Sequence, residues 1–301
     1  MRRMDCPLCG SADKSELYPE RLENAQADFD YLTESANHYR IVRCRACGMV
    51  YSDPVFEPER IIELYRNSRI DEAVKDSLVP SIRRNMARYV DRLVRVSGIR
   101  SGRVLDVGCG CGHLVEAAAL HGFEAHGVDP SAGAVEHARH VLGLTGVRCA
   151  DYSRSLFPEA YFDLVFFVHV IDHVSDPRRM LEDILYHLRP GGCALVATHN
   201  IGSLLARVQG MGFIAWSVQH LSYFDPASLR RMLEAAGFAY ERGLRSLTTY
   251  PLAHYVENGI RNPGLRRAGQ GVLGALGLKN FALSFPFGNI EAVGRKPRGA
   301  H

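Results

Sequence analysis

Two Cys-x-x-Cys pairs, a glycine-rich turn and a run of histidines are the parts of this 301-residue chain whose residue types and spacing can do chemistry. The pairs are Cys6-Pro-Leu-Cys9-Gly10 and Cys44-Arg-Ala-Cys47-Gly48, with 34 residues between them. Each pair is a knuckle tight enough to aim both sulfurs at one ion, and the glycine after it tolerates the positive φ that such a turn needs. Four thiolates make a closed tetrahedral zinc site, structural because no position is left open for water. The separation exceeds the usual ~15–20 residues, but loop-closure cost grows slowly with length. A redox dithiol and two chance pairs are the other readings. Of the remaining cysteines, Cys109 and Cys111 are expected beneath a loop, and Cys149 and Cys193 in the core.

The second constellation is Val104-Leu105-Asp106-Val107-Gly108-Cys109-Gly110-Cys111-Gly112. It reads as a strand entering a glycine turn and then a helix. Dinucleotide sites prefer G-x-G-x-x-G; here the third glycine of that pattern is His113, and the spacing is D-x-G-x-G-x-G. Gly108, Gly110 and Gly112 let the backbone approach a ligand, and Asp106 can engage a cationic amino group. Asp129 ends the next strand, where a carboxylate accepts from both hydroxyls of a ribose. Asp151 follows a third strand and can accept from an adenine amine.

These groups need elements to position them. Strands are expected at Arg103–Val107, Glu124–Val128, Val147–Cys149, Leu164–Val168 and Ala194–Thr198, with helices beginning near Gly112, Ser131 and Pro177. That alternation argues for right-handed βαβ units and a parallel sheet. Upstream, residues 57–97 read as helical. Downstream, a helix is expected at Pro226–Ala236, a strand near Phe238–Leu244 and a last strand near Asn289–Val293. The stretch from Tyr250 to Phe287, with Arg261, Arg266 and Arg267, reads as a helical insertion or a solvated amphipathic helix.

Composition sets limits. The net charge is +3 from 36 basic and 33 acidic residues, too balanced for an arginine-rich nucleic-acid binder. Residues 1–54 hold seven basic and nine acidic side chains, so the cysteine module lacks the positive excess of a phosphate-tracking surface. It is expected to be a structural cap or substrate-side lid. No run of 18 apolar residues occurs and the N-terminus lacks a signal-peptide pattern, so no membrane partner and a cytoplasmic location are expected.

Residues 82–250 resemble the class I S-adenosylmethionine-dependent methyltransferases. The resemblance rests on LDVGCGCGHL, GVDPS, FDLVFFVHVIDHVSDP and LRPGGCALVATHN in this order, and on the later HLSYFDP segment. A four-cysteine module ahead of such a domain is similar to natural-product and surface-sugar methyltransferases. A ribosomal-RNA methyltransferase group also has an N-terminal cysteine site, but one that ends in histidine, unlike Cys44–Cys47. The resemblance implies an α/β, Rossmann-like, doubly wound sheet of seven strands, order 3-2-1-4-5-7-6 with the last strand antiparallel, behind a small zinc-ribbon-like module. The division it implies is 1–55 four-cysteine module, 56–98 helical connector and 99–301 methyltransferase domain. S-adenosylmethionine would lie along Gly108, Gly110 and Gly112, with Asp106 near its amino group, Asp129 on the ribose and Asp151 on the adenine. His169 would sit at the cofactor–substrate junction.

Methyl transfer from a sulfonium needs an aligned nucleophile and often a base. The candidate bases are His169, His173, His199, His220, Asp172 and Tyr223. His220 is favoured, beside a lid-like segment at 212–216; its other reading is a histidine that fixes the loop through backbone bonds. His173 also reads as a structural hydrogen-bonder. Spacing of i, i+3, i+4 puts His169, Asp172 and His173 on one helical face. The quinone-biosynthesis O-methyltransferases, which the chain resembles here, carry Glu-x-x-Glu-His at that spacing. His169 and Asp172 replace the glutamates and can still hold a divalent metal, so a second metal joins zinc and S-adenosylmethionine as a cofactor to test. The expected reaction is methylation, at oxygen, of a small-molecule or sugar-bearing acceptor. The alternatives are N- or C-methylation, an RNA substrate, a non-catalytic binding protein and an NAD-dependent oxidoreductase.

Overall fold

The computed structural model describes residues 1–22, 37–66, 76–260, 262–286 and 288–299. Within 57–97, residues 67–75 lie outside that range; so do Glu23, Asp28, Asp30 and Glu34 of the module's charge balance, and Arg261 and Phe287. In chain order, β1 (Lys14–Tyr18), β2 (Ile41–Cys44) and β3 (Val50–Ser52) form the N-terminal module, followed by helices α1 (Pro58–Arg66) and α2 (Val79–Ser97). The alternating stretch is β4 (Arg103–Val107), α3 (His113–Leu120), β5 (Glu124–Asp129), α4 (Ala132–His140), β6 (Val147–Cys149), β7 (Phe162–Val168), α5 (Pro177–His187) and β8 (Leu188–His199). Then come α6 (Leu204–Gln209), β9 (Ser222–Tyr223), α7 (Pro226–Ala235), β10 (Ala239–Arg245), β11 (Thr248–Pro251), α8 (Leu252–Gly259), α9 (Pro263–Ala275), β12 (Ala282–Phe285) and β13 (Asn289–Arg295).

The main sheet has the order β10-β13-β8-β7-β4-β5-β6. Counting its strands along the chain gives the expected 3-2-1-4-5-7-6. β13 runs antiparallel to β8, whereas the β4–β5, β4–β7, β5–β6 and β7–β8 pairs are parallel. The central strand β7 is covered on both faces, and Phe162, Leu164, Val165, Phe166 and Phe167 are all buried. This is why its sequence is an unbroken apolar run apart from Asp163. Side-chain caps fix where the helices start. Ser131 accepts from the Ala134 amide, Asp176 from that of Arg179, and Asp225 shares a capping box with Ser228. Each such cap stabilises its helix by about 1 kcal/mol.

A second sheet has the order β1-β2-β3-β9. Its fourth strand comes from the far half of the chain: Val50 pairs with Tyr223 and Tyr51 with Ser222. One core cluster runs through both sheets, taking in Leu8, Val42, Met49 and Tyr51 with Phe224, Leu229 and Met232. A two-stranded hairpin of β11 and β12 encloses α8 and α9. No helix among the described residues is long and apolar enough to cross a membrane.

Two expectations are corrected. Cys149 is exposed, not core, because β6 is the edge strand of the main sheet; Cys193, on a central strand, is fully buried. The segment His169–His173 is a turn rather than a helical face, closed by the His173 amide on the Val170 carbonyl at 2.9 Å.

Candidate active site

The turn after β4 is built for close approach. Gly108, Gly110 and Gly112 have φ of 75°, 48° and 84°. A Cβ on Gly108 would stand 2.4 Å from Val170, and one on Gly112 2.7 Å from Leu144. Asp129 at the tip of β5 accepts from the amides of Gly110 at 2.8 Å and Ser131 at 2.9 Å. Those bonds fix the carboxylate and leave lone pairs for two further hydroxyls. Burial raises the Asp129 pKa despite these donors. Burial, with the charge of Asp129, pushes Asp106 up to about 8. A buried carboxyl balanced near neutrality is complementary to an ammonium group, whose arrival favours the ionised form. Asp151 pairs with Arg66 at the end of α1. Both partners are substantially exposed, so the pair places α1 over the crevice more than it stabilises the fold.

Beyond β7 lies a histidine cluster. His169 has a φ of 55°, left-handed for a residue with a side chain, and its amide bonds the Ala197 carbonyl at 2.8 Å. Ring centroids are 5.1 Å apart for His169–His199, 5.2 Å for His199–His220 and 4.6 Å for His173–His220. The four imidazoles surround the buried Asp172, which stands 3.7 Å from Nε2 of His173 and 3.7 Å from Nε2 of His220. Neither carboxylate oxygen has a hydrogen-bond partner. The outer ring nitrogens are engaged: His220 Nδ1 with the Ala215 carbonyl at 2.8 Å, His173 Nδ1 with the Tyr65 hydroxyl at 2.6 Å, and His199 Nδ1 with Asn289 Oδ1 at 2.9 Å. A carbonyl only accepts, so His220 Nδ1 carries the proton and its Nε2 faces Asp172.

Burial lowers the pKa of His220 to about 3 and of His169 to about 4, and lowers that of His173 as well. Burial alone would raise Asp172, but the imidazoles, His173 first, outweigh it and hold the carboxyl far below its usual range. An ionised carboxylate among neutral imidazoles leaves one negative charge uncompensated, which a proton in the cluster or a bound cation would balance. The potential ligand atoms form two sets that share Asp172: His169, Asp172 and His199, and Asp172, His173 and His220, each within 4.8 Å. His169 and His173, expected in one set, fall in different ones because the segment turns rather than coils.

A cleft of about 1930 Å³ runs from the glycine turn past this cluster to an outer chamber walled by Met86, Trp216, Tyr250, His254 and Tyr255. Arg21 of the N-terminal module also faces it. Tyr223 does not: its hydroxyl meets Ser52 Oγ at 3.1 Å inside the second sheet. Tyr65 and Asn289 were not singled out from sequence. Tyr65 reads there as one more apolar position of a helix, and only its hydroxyl hints at more.

The sulfurs of Cys6, Cys9, Cys44 and Cys47 all lie within 4.8 Å of one another, with Cys6–Cys47 at 3.4 Å and Cys9–Cys44 at 3.6 Å. Zn–S bonds of about 2.3 Å in a tetrahedron place sulfurs about 3.8 Å apart, so the donor set fits that ion. Gly10 and Gly48 have φ of 73° and 78°, and their amides close the knuckles on the Cys6 and Cys44 carbonyls at 2.8 and 2.9 Å. Burial pushes the Cys6 thiol up, whereas at Cys44 backbone N–H groups outweigh burial and bring it down to about 7.

Seven strands in this order, with a crevice at the carboxyl ends of the parallel ones, are the architecture of an S-adenosylmethionine-dependent methyltransferase. The methyltransferase-domain family model matches residues 81–242, and the chain belongs to that family. It is 32% identical over 179 residues to the ubiquinone biosynthesis O-methyltransferase of Thiobacillus denitrificans, a match covering 55% of this chain and 75% of that one. Against the protein of the same name from Coxiella burnetii the identity is 29% over 166 residues, 53% and 69% of the two chains. Among solved structures, a chain from the complex between a methyltransferase and the Trm112 methyltransferase activator of Haloferax volcanii shares the fold. Its TM-score is 0.54 at 18% identity, with coverage of 76% and 98%.

Proposed function

We propose that this methyltransferase methylates an oxygen of a small-molecule or sugar-bearing acceptor held in the outer chamber, with His220 as the base. The observation that carries this reading is the buried Asp172–His220 contact, set between the glycine turn and the chamber. The name O-methyltransferase borne by its relatives supports the choice of oxygen. The acidic balance of residues 1–54 supports a small acceptor over nucleic acid.

When bound, S-adenosylmethionine supplies an electrophilic methyl group. Gly108, Gly110 and Gly112 would hold the backbone back from it, Asp129 would accept from the ribose hydroxyls, Asp106 would take the ammonium and Asp151 would accept from the adenine amine. His169 closes the junction on the acceptor side. His220 Nε2 takes the acceptor proton, and Asp172 stabilises the imidazolium that results, working against the burial and neighbouring imidazoles that lower the His220 pKa to about 3. His173, fixed by Tyr65, holds Asp172 in place. Turnover with a panel of phenolic and sugar acceptors, with the product methyl located by NMR, tests the assignment. Cofactor binding without methyl transfer to any acceptor would favour an interaction protein.

A second reading is favoured by the two unpartnered oxygens of Asp172. In it His169, Asp172 and His199, or Asp172, His173 and His220, would hold a divalent metal that would supply Lewis-acid polarisation of the acceptor oxygen. Metal analysis separates the readings, since one zinc per chain leaves the histidines as bases and a second equivalent places a metal there. We assign the zinc to Cys6, Cys9, Cys44 and Cys47, where it is structural. In this reading residues 1–55 cap the acceptor side, residues 56–98 cover the cofactor through α1, and residues 99–301 carry the chemistry.

A further inference from the structure

β10 and β13 pair side by side and antiparallel, yet the chain between them runs from residue 246 to residue 288. Antiparallel neighbours are usually joined by about two to five residues, so this connection is an added element. It carries β11, α8, α9 and β12, and the family match ends at residue 242, before it begins. Side chains of α2 fasten it. Asn85 donates to the Thr249 carbonyl at 3.1 Å and accepts from the Thr249 amide at 2.8 Å, while Arg88 reaches the hydroxyls of Thr249 and Ser284. α9 lies close on α8: a Cβ on Gly269 would stand 3.0 Å from Val256, and Gln270 donates to the Ala253 carbonyl at 2.7 Å.

The added element gives the outer chamber one of its walls. There the rings of Tyr250 and His254 stack, with centroids 4.3 Å apart and planes at 29°. Arg266 of α9, one turn before Gln270, stands half-buried on the same wall. Among the described residues its guanidinium meets only the Glu257 backbone carbonyl, at 3.4 Å, and no carboxylate pairs with it. Arg179, elsewhere along the cleft, has Asp183 at 3.5 Å. A guanidinium drawn out of water without a counter-charge is costly, and its planar fork matches a carboxylate or a phosphate. Flat side chains next to that fork suit a ring. We infer that the acceptor is a ring compound bearing an anionic group, which Arg266 binds while Tyr250 and His254 pack against the ring. The inference rests on the outer chamber being the acceptor's place, as proposed above.

Trp216 is the only tryptophan of the chain and walls the same chamber, so its emission reports occupancy without any methyl transfer. With S-adenosylhomocysteine present, matched compounds are titrated: 3,4-dihydroxybenzoate against catechol, and glucose 6-phosphate against glucose. In at least one pair the anion should bind about tenfold tighter or more, the usual worth of a hydrogen bond to a charged group, and the pair that responds tells carboxylate from phosphate. Arg266→Gln should erase that preference with S-adenosylhomocysteine affinity at the wild-type value. Arg267→Gln, at an exposed position, should keep the preference. His254→Ala should weaken both members of the responding pair. Equal binding of anion and neutral partner, no saturable response to any of the four compounds, or a preference that survives Arg266→Gln would overturn the inference. Methyl transfer to the same compounds is read separately. Binding that depends on Arg266 without transfer would uphold the inference against the O-methylation reading, and transfer to catechol with no preference for the acid would do the reverse.

Discussion

The Ser52 hydroxyl donates to the backbone carbonyl of His220 across 3.1 Å, and the Ser52 amide bonds the next carbonyl, that of Leu221, at 2.9 Å. The last residue of the cysteine module's third strand thus sets the backbone position of the candidate base. From the other side Arg231 of α7 donates to the carbonyl of Cys47 at 2.8 Å. The four-cysteine site and the histidine cluster are therefore mechanically one unit.

Loss of zinc should be read at the methyl-transfer step. Cys9→Ser with Cys47→Ser is expected to remove the zinc assigned to that site and to lower kcat far more than it weakens S-adenosylhomocysteine binding. Cys149→Ser, on the edge of the main sheet, should leave zinc content and kcat unchanged. Metal analysis beside steady-state kinetics checks both.

Removing the proposed base should separate binding from chemistry. His220→Asn should lower kcat about 10²–10⁴-fold, the usual contribution of a general base, with the S-adenosylhomocysteine dissociation constant little changed. Tyr65→Phe removes the hydroxyl that meets His173 Nδ1, so a smaller loss of kcat and a displaced pH profile are expected, because Tyr65 acts through His173 and Asp172.

Asp106 is expected to make cofactor binding pH-dependent. In the free protein its carboxyl titrates at about 8, raised by burial and by Asp129. Only the ionised form attracts an ammonium group, so S-adenosylhomocysteine affinity should rise as pH goes from 6 to 8, with proton release on binding. Asp106→Asn should remove the slope. The same shift has a stability sign: below pH 8 the folded state holds a proton that the unfolded state gives up near 4, so the unliganded protein loses stability as pH rises between these values. Calorimetric titrations in buffers of different ionisation enthalpy measure the proton count.

Asp53 anchors the module. It is fully buried, takes the Met4 amide at 2.6 Å, and pairs with Lys14 at 3.0 Å and Arg40 at 2.8 Å. Burial works against ionisation, but these donors outweigh it and lower the pKa. Its contribution is therefore complete above the ordinary aspartate range and fades as pH falls through the depressed value. Asp53→Ala should cost about 3 kcal/mol at neutral pH, and the gap from wild type should narrow below pH 4, as urea unfolding at both pH values would show.

Much of the fold was legible because strand and helix periods alternate cleanly from Arg103 to His199, and because glycines and terminal carboxylates mark where strands end. β7 and the helix starts at Ser131 and Asp176 are local signals and lie where the sequence puts them. The histidine cluster was half legible. His169, Asp172, His173, His199 and His220 were all candidates, but a turn and a helix share the same short spacing, so their grouping awaited tertiary structure. Tyr65 and Asn289 come from 108 and 90 residues away from their partners, and no local pattern reports such a contact. Ser222 and Tyr223 likewise read as part of a family segment, with nothing to say that they complete another sheet.

That completed sheet has an evolutionary corollary. β9, two residues long, pairs with β3 while sitting between α6 and α7 in the chain. A recombination event that exchanged only the first 55 residues would bring in a foreign edge against Ser222 and Tyr223 and a foreign residue beneath His220. A module exchanged between enzymes would have to keep its fit to Ser222, Tyr223 and the backbone of His220.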